Sequence, residues 1–392
     1  MRILNVIQSV NPVYGGPAEG LRQMCLATQR MGHLQEVLTL DQAQDAWLAD
    51  FPAPVHAVGP RYGGYGYAPG LRPWLQASVR NYDALVVHGL WQYQGLATRQ
   101  ALLGSRVPYF VYPHGMLDPW FKHRYPLKHL KKWLYWLGAE HRVLRDAAGV
   151  CFTTAEESRL AADTFAPFDV RALDMGYGLA LDGVAVAARA EDFLRLYPAL
   201  RGRRLLLFLA RVHPKKGLDL LIEAFGQLAV AHPDLHLVVA GPDEGGLRPQ
   251  LEQQAARLGV ADRITWTGML QGSAKWGALK AAEVFALPSH QENFGIAVAE
   301  ALAVGLPVLL SDQVNICHTV QEAGAGLVGP DDVAGTGATL RAWLALSAEQ
   351  RALMGAAAVA CYHQHFHVDA AARRLLDTLR SHCAASTDRQ RG

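Results

Sequence analysis

No two cysteines among the 392 residues stand in a C-x-x-C pair, and no apolar run approaches the ~18–20 residues of a membrane-spanning helix. The five cysteines, Cys25, Cys151, Cys317, Cys361 and Cys383, are odd in number and far apart. They argue against a disulfide framework or a zinc site and for a reducing compartment. An excess of one charge is missing too. With 37 Lys and Arg against 35 Asp and Glu, the net charge of +2 gives no global electrostatic case for nucleic acid. The opening "MRILNVIQSV" has one positive charge, and Asn5 and Gln8 interrupt its apolar run, so it reads as a first strand and not as a signal peptide. A cytoplasmic protein is expected, or one attached to the inner face of a membrane only at its surface.

What is present is ordinary globular chemistry, 51% hydrophobic and 18% charged, in a chain long enough for two cores. Short apolar runs alternate with helical patterns throughout. "ILNVI", "EVLTL", "ALVVHG", "YFVYPHG" and "GVCFTT" read as buried strands that end in glycine or polar residues. The pattern restarts with "RLLLFLARV" and continues through "LHLVVAG", "ITWTG", "VFALPS" and "PVLLSD". The fold class is therefore α/β, with two doubly wound parallel sheets. The expected divisions are a first Rossmann-like domain at 1–178, a linker at 179–200 and a second Rossmann-like domain at 201–365. A helix at 366–385 follows, and 386–392 would be a disordered tail. Ligands of such sheets bind beyond the carboxyl ends of the strands, so two facing sheets would leave a cleft lined by those loops.

The stretch "PSHQENFGIAVAEALAVGLPV" carries the chemistry. A strand exits through "HQENFG" into a helix, which places Glu292 in the loop and Glu300 two turns inside. The helix mouth around Asn293, Phe294, Gly295 and Ile296 presents N–H groups and the positive end of a dipole to an anion. Gly295 lets that anion approach the backbone. In "ARVHPKKGLD", Arg211 and Lys216 supply a fork-shaped and a point-like cation at another strand end, a pair suited to a diphosphate.

These features resemble the family-4-type retaining glycosyltransferases of GT-B fold, and "HGLWQY" and "PHGMLDPW" in the first half resemble a subgroup seen among surface-polysaccharide enzymes. The matching elements are Arg211 followed five residues later by Lys216-Gly217, the "AGPDEGG" loop and the E-x7-E of Glu292 and Glu300. The resemblance implies Arg211 and Lys216 on the diphosphate, Glu300 on ribose hydroxyls and Glu292 on the donor sugar. It further implies Gly15 and Gly16 near the phosphates and His114, in "YPHGM", facing the sugar close to its reacting carbon. Its donor would be a nucleoside-diphosphate sugar, with no cofactor. Its acceptor would bind in the first domain, and its closing helix, matched by "FHVDAAARRLLDTL", would cross back to that domain. No Asp-x-Asp occurs in the chain, so no metal is expected to clamp the diphosphate.

Plainer readings accompany these. His88 of "VVHGLW" fits cleft lining and packing equally and stays outside the catalytic set. "HQHFH", at 363–367, precedes a helix without nearby acids and reads as no metal site. Along residues 121–142, Leu127, Leu130, Leu134 and Leu137 form one stripe, expected toward the core. Lys128, Lys131 and Lys132, with Tyr135 and Trp136, form the outer face. That face suits an anionic membrane surface or a lipid-linked acceptor, and a solvated face accounts for it equally. An oligosaccharide acceptor is the other partner expected. An epimerase or phosphorylase of the same architecture, or a non-catalytic nucleotide-sugar binder, remain the alternatives.

Overall fold

Two parallel sheets organise the chain in this computed structural model, which describes residues 1–388. Among the described residues, the first compact unit comprises 1–178 together with the helix Val368–Asp388, and the second comprises 179–367.

In the first unit the strands are β1 (Arg2–Ile7), β2 (Leu34–Thr39), β3 (Val55–Ala57), β4 (Ala84–His88), β5 (Tyr109–Tyr112), β6 (Gly149–Phe152) and β7 (Ala172–Asp174). They form a seven-stranded sheet in the order β3-β2-β1-β4-β5-β6-β7, every pairing parallel. Side chains alternate between its faces. Leu4, Val6, Leu38 and Leu85 pack into one cluster with Trp136 and Phe165, while Ile7 and Val37 meet Leu21 and Cys25 in another. Burial on both faces is why these strands read as continuous apolar runs.

The second unit holds β8 (Arg204–Leu209), β9 (Leu235–Ala240), β10 (Ile264–Gly268), β11 (Val284–Leu287), β12 (Val308–Ser311) and β13 (Gly326–Gly329). Its six-stranded parallel sheet runs β10-β9-β8-β11-β12-β13. The helix Leu218–Ala229 buries Leu218, Leu221, Ile222, Phe225 and Ala229, a helical spacing that turns one face onto the sheet. The strand order reverses between β1 and β4 in the first unit and between β8 and β11 in the second. Loops leaving those strands are therefore the ones a ligand would meet.

Three expectations need correction. Residues 179–200, expected as a linker, fall within the second unit and form the helices Gly183–Ala187 and Ala190–Leu194, with Phe193 fully buried. The Nζ of Lys280 donates to the carbonyls of Ala185 and Ala188 at 2.8 and 2.7 Å, which fastens that segment to the second unit. The last helix spans Val368–Asp388, so it takes in residues 386–388 of the expected tail; 389–392 lie outside the described residues.

The third correction concerns residues 121–142. They form the helices Trp120–Arg124 and Pro126–Tyr135, a wider turn over Trp136–Glu140 and the start of the helix His141–Arg145. The leucine stripe faces outward, with Leu127 84%, Leu130 57% and Leu134 62% exposed, whereas Trp136 is fully buried. Lys132 turns inward, with its Nζ 4.7 Å from the centre of the Trp91 ring. Aromatic area outweighs the leucines here, since Trp136 stacks on Phe165 and gives its indole N–H to the Pro167 carbonyl.

Candidate active site

In the second unit, the loop after β8 carries Arg211 and closes with the short turn Pro214–Lys216. Gly217 ends that turn at φ +64°, and a Cβ there would overlap the Pro288 carbonyl oxygen. Only glycine allows the loop after β8 to lie this close to the loop after β11. The His290 N–H joins the two loops by donating to the Lys215 carbonyl at 2.8 Å.

This approach brings Lys216 onto Glu292. The buried Nζ of Lys216 pairs with Glu292 Oε2. Burial alone would raise the Glu292 carboxyl. The charges of Lys216 and Lys215 overcome it, with the Asn293 N–H contributing, and hold the group below the usual carboxylate range. The Glu292 backbone is fixed as well, since its N–H donates to the Gln313 carbonyl and its carbonyl accepts from Asn315. Two residues that the resemblance assigns to different parts of one donor thus form an ion pair.

The helix Ile296–Ala303 begins at Gly295, whose φ of +76° is left-handed. Val298 and Ala299 turn their N–H groups back to the Gly295 carbonyl, and the first-turn N–H of Ile296 precedes every carbonyl of the helix. The Phe294 ring is not at the helix mouth. It is buried and meets Phe366 edge-on, so only its backbone belongs to the mouth. Asn293 accepts a hydrogen bond from the Asn315 side chain at 3.3 Å.

Glu300 is buried within that helix and pairs with Lys275 at 2.7 Å. Lys275 comes from the helix Gly272–Ala281, after β10, and its Nζ lies 4.6 Å from the Trp276 ring centre. Arg211 is half-exposed and pairs with Glu244, in the glycine-rich loop after β9, at 2.6 Å. Each charged residue expected from the sequence therefore has its own oppositely charged partner. Only Lys216 and Glu292 are joined directly to each other.

In the first unit, Gly15 at φ +73° leads into the helix Gly16–Arg30, and the Gly16 carbonyl accepts from the Tyr177 hydroxyl at 3.1 Å. His114 leaves β5 with φ +51°, an unusual value for a residue with a side chain. The next residue, Gly115, donates its N–H to Glu157 Oε1 at 2.6 Å. The other oxygen of Glu157 accepts from the Thr153 N–H and hydroxyl. The His114 ring meets His88, with Nε2 to Nδ1 at 3.0 Å, and stacks beside Tyr112. Burial lowers the His114 pKa to about 4, so its imidazole is neutral at physiological pH.

Sequence reasoning missed Lys275 and Glu157 and left His88 aside. Lys275 sits in a helix with no motif of its own. Glu157 is identifiable only as a buried acid in a first turn that begins at the capping Thr154. His88 was visible as a strand-terminal polar residue beside the point of strand reversal. Among the described residues, no group of three His, Cys, Asp or Glu could hold a metal ion.

Residues 197–359 match the family model of glycosyl transferases group 1, and residues 15–176 that of a glycosyl transferase 4-like domain. A D-inositol 3-phosphate glycosyltransferase of Geodermatophilus obscurus is 34% identical over 229 residues, covering 55% of this chain and 51% of that protein. The alpha-D-kanosaminyltransferase of Streptomyces kanamyceticus is 29% identical over 195 residues, 49% of this chain and 50% of that one. The chain spans about half the length of these curated relatives. Among solved structures, Anabaena HepE in complex with UDP and glucose superposes with a TM-score of 0.76 at 20% identity, over 97% of this chain and 100% of that chain. A glycosyltransferase from Rickettsia africae gives 0.77 at 13% identity, over 97% and 98%. The fold implied by the resemblance, GT-B with two Rossmann-like parallel sheets, is the fold of this chain.

Proposed function

We propose that this chain, whose two domains belong to the glycosyl transferase 4-like and group 1 families, transfers a sugar from a nucleoside diphosphate to an acceptor hydroxyl with retention. The supporting observation is the pairing of Lys216 with Glu292 beside the mouth of the helix Ile296–Ala303, at the strand reversal of the second sheet. A cation, a carboxylate and a dipole end in one place suit a ligand that is anionic at one end and rich in hydroxyls at the other. The Anabaena relative in complex with UDP and glucose supports a donor of the same chemistry.

Arg211 and Lys216 take the diphosphate, Glu300 the ribose and Glu292 the donor sugar. In the first unit, the role proposed for Gly15 and Gly16 is phosphate binding, and for His114 contact with the donor sugar. As the bond from the anomeric carbon to the phosphate oxygen breaks, its electron pair goes to the departing diphosphate, which the cations stabilise. The acceptor oxygen bonds to the same face of that carbon, and its proton passes to the departing phosphate oxygen. No metal is required, so activity should survive a chelator. Product anomer analysis by NMR tests the scheme, and an inverted product would overturn retention.

The acceptor reading is a lipid-linked or oligosaccharide acceptor in bacterial exopolysaccharide, lipopolysaccharide or capsule synthesis, reached from the cytoplasmic face of the membrane. The outward leucines of the helix Pro126–Tyr135, flanked by exposed Lys128 and Lys131, support binding to an anionic lipid surface. A second reading comes from the inositol-phosphate enzymes, whose name favours a small phosphorylated polyol. Thermal-shift screening against GDP, UDP, ADP and dTDP sugars, then assays with both acceptor classes, would separate them. Turnover without any acceptor hydroxyl would favour an epimerase, or a phosphorylase using inorganic phosphate, instead.

A further inference from the structure

We propose that Asn5 and His88 are positioning residues that fix the tautomer of His114, leaving its Nδ1 as a hydrogen-bond acceptor for a sugar hydroxyl. Only the identity of that ligand rests on the transfer reading. The relay itself stands on the geometry of the first unit.

A chain of side chains runs from the helix Gly16–Arg30 through β2, β1 and β4 to His114. Its direction is set at the far end, where the Thr28 hydroxyl donates to the Met24 carbonyl at 2.8 Å. The Thr28 oxygen therefore accepts, and Gln35 Nε2 donates to it at 2.9 Å. This turns Gln35 Oε1 toward Asn5, whose Nδ2 donates to it at 2.6 Å and lies 3.4 Å from the Glu36 carbonyl, another pure acceptor. Asn5 Oδ1 is left facing His88 Nε2 at 3.2 Å and can only accept, so the His88 proton is on Nε2. His88 Nδ1 is then a bare lone pair, and His114 Nε2 must carry the proton that fills it across 3.0 Å. The remaining nitrogen of His114, Nδ1, has no proton.

The surroundings favour this arrangement. Thr28, Gln35, Asn5 and His88 are all buried, so a reversed or broken link would leave an unpaired polar group away from water. Tyr112 stacks on His88 at an interplanar angle of 2° and on His114 at 18°, which restricts ring rotation. Burial, with His114 nearby, holds His88 well below its ordinary pKa, and burial lowers that of His114 to about 4. Both rings are therefore neutral at pH 7, as a single shared proton between them requires. His114 then acts as neither an acid nor a cation for phosphate. It reads a hydroxyl donor.

The test is the nitrogen spectrum of the histidines in the full chain, labelled with 15N and assigned by the loss of signals in His114→Gln. At pH 7.5, long-range 1H–15N correlations should show His114 Nε2 as protonated and Nδ1 as bare. Asn5→Asp places a carboxylate against His88 and should hold a second proton on that ring, which moves His114 away from the Nε2–H form. His88→Phe removes the acceptor and should release the tautomer, with roughly a tenfold rise in KM for the nucleotide sugar. His88→Gln keeps an acceptor oxygen and should restore most of the loss. A protonated Nδ1 on His114 in the unmodified protein would overturn the relay, whether or not any variant folds. The stated tautomer in a protein that turns over no nucleotide sugar would instead sink the transfer reading and leave the relay intact.

Discussion

Around the ends of the second sheet's central strands, the candidate residues are held by charge: Lys216 with Glu292, Lys275 with Glu300 and Arg211 with Glu244. Around the ends of β1, β4 and β5, the groups that reach His114 are neutral, namely an amide chain, a second imidazole and a tyrosine ring. Charged pairs suit the part of a ligand whose negative charge is fixed. Neutral, directional bonds suit the part that must be oriented, because an unneeded buried charge is costly. The two sheets share a topology and differ in what their exit loops hold.

The largest effect that would sharpen this contrast is expected from Lys216→Ala. It strands Glu292 and should lower kcat/KM on nucleotide sugars by about 10²-fold or more. It should also reverse a pH dependence. In the parent, the Glu292 pKa is depressed, so its stabilising contribution is present above the unfolded value of 4.5 and is lost as pH falls through the lower folded value. Without Lys216, burial should raise that carboxyl, and the Tm of the variant should improve as pH falls toward 4.5.

Gly217→Ala comes next, since its Cβ would strike the Pro288 carbonyl at a left-handed φ. A loss of about 2 kcal/mol or more in denaturant unfolding is expected, and less than half of that would show that the loops can part freely. In the neutral region, His114 and His88 should make stability fall between about pH 6.5 and 4. There the unfolded chain takes up protons that the folded rings resist, and His114→Gln should flatten that slope. The smallest change is Glu244→Ala, a half-exposed pair worth less than about 1 kcal/mol by Tm. Unchanged donor KM in that variant would separate Arg211 positioning from Lys216 charge.

The central strands could be read from sequence because burial on both faces writes them as unbroken apolar runs. β3, β7 and β13 were not, being short and only partly buried, with β7 exposed at both ends. The helix from Pro126 shows a second limit. A helical wheel groups Leu127, Leu130 and Leu134, but which face turns inward depended on the Phe165 ring, far along the chain. The candidate acids and cations, Arg211, Lys216, Glu292 and Glu300, could be singled out by their spacing. Their pairing was not, because Lys275 and Glu244 reach them through tertiary structure alone.

The helix Val368–Asp388 places Ala372, Leu375 and Leu379 in buried positions. It also ties Asp369 to Arg30 at 2.7 Å and Arg380 to His33 at 2.9 Å, all within the first unit. That unit is therefore sealed by a segment translated after the whole of the second. On the ribosome, the amino-terminal half must wait with an uncovered apolar flank while 179–367 emerge, a natural binding target for chaperones.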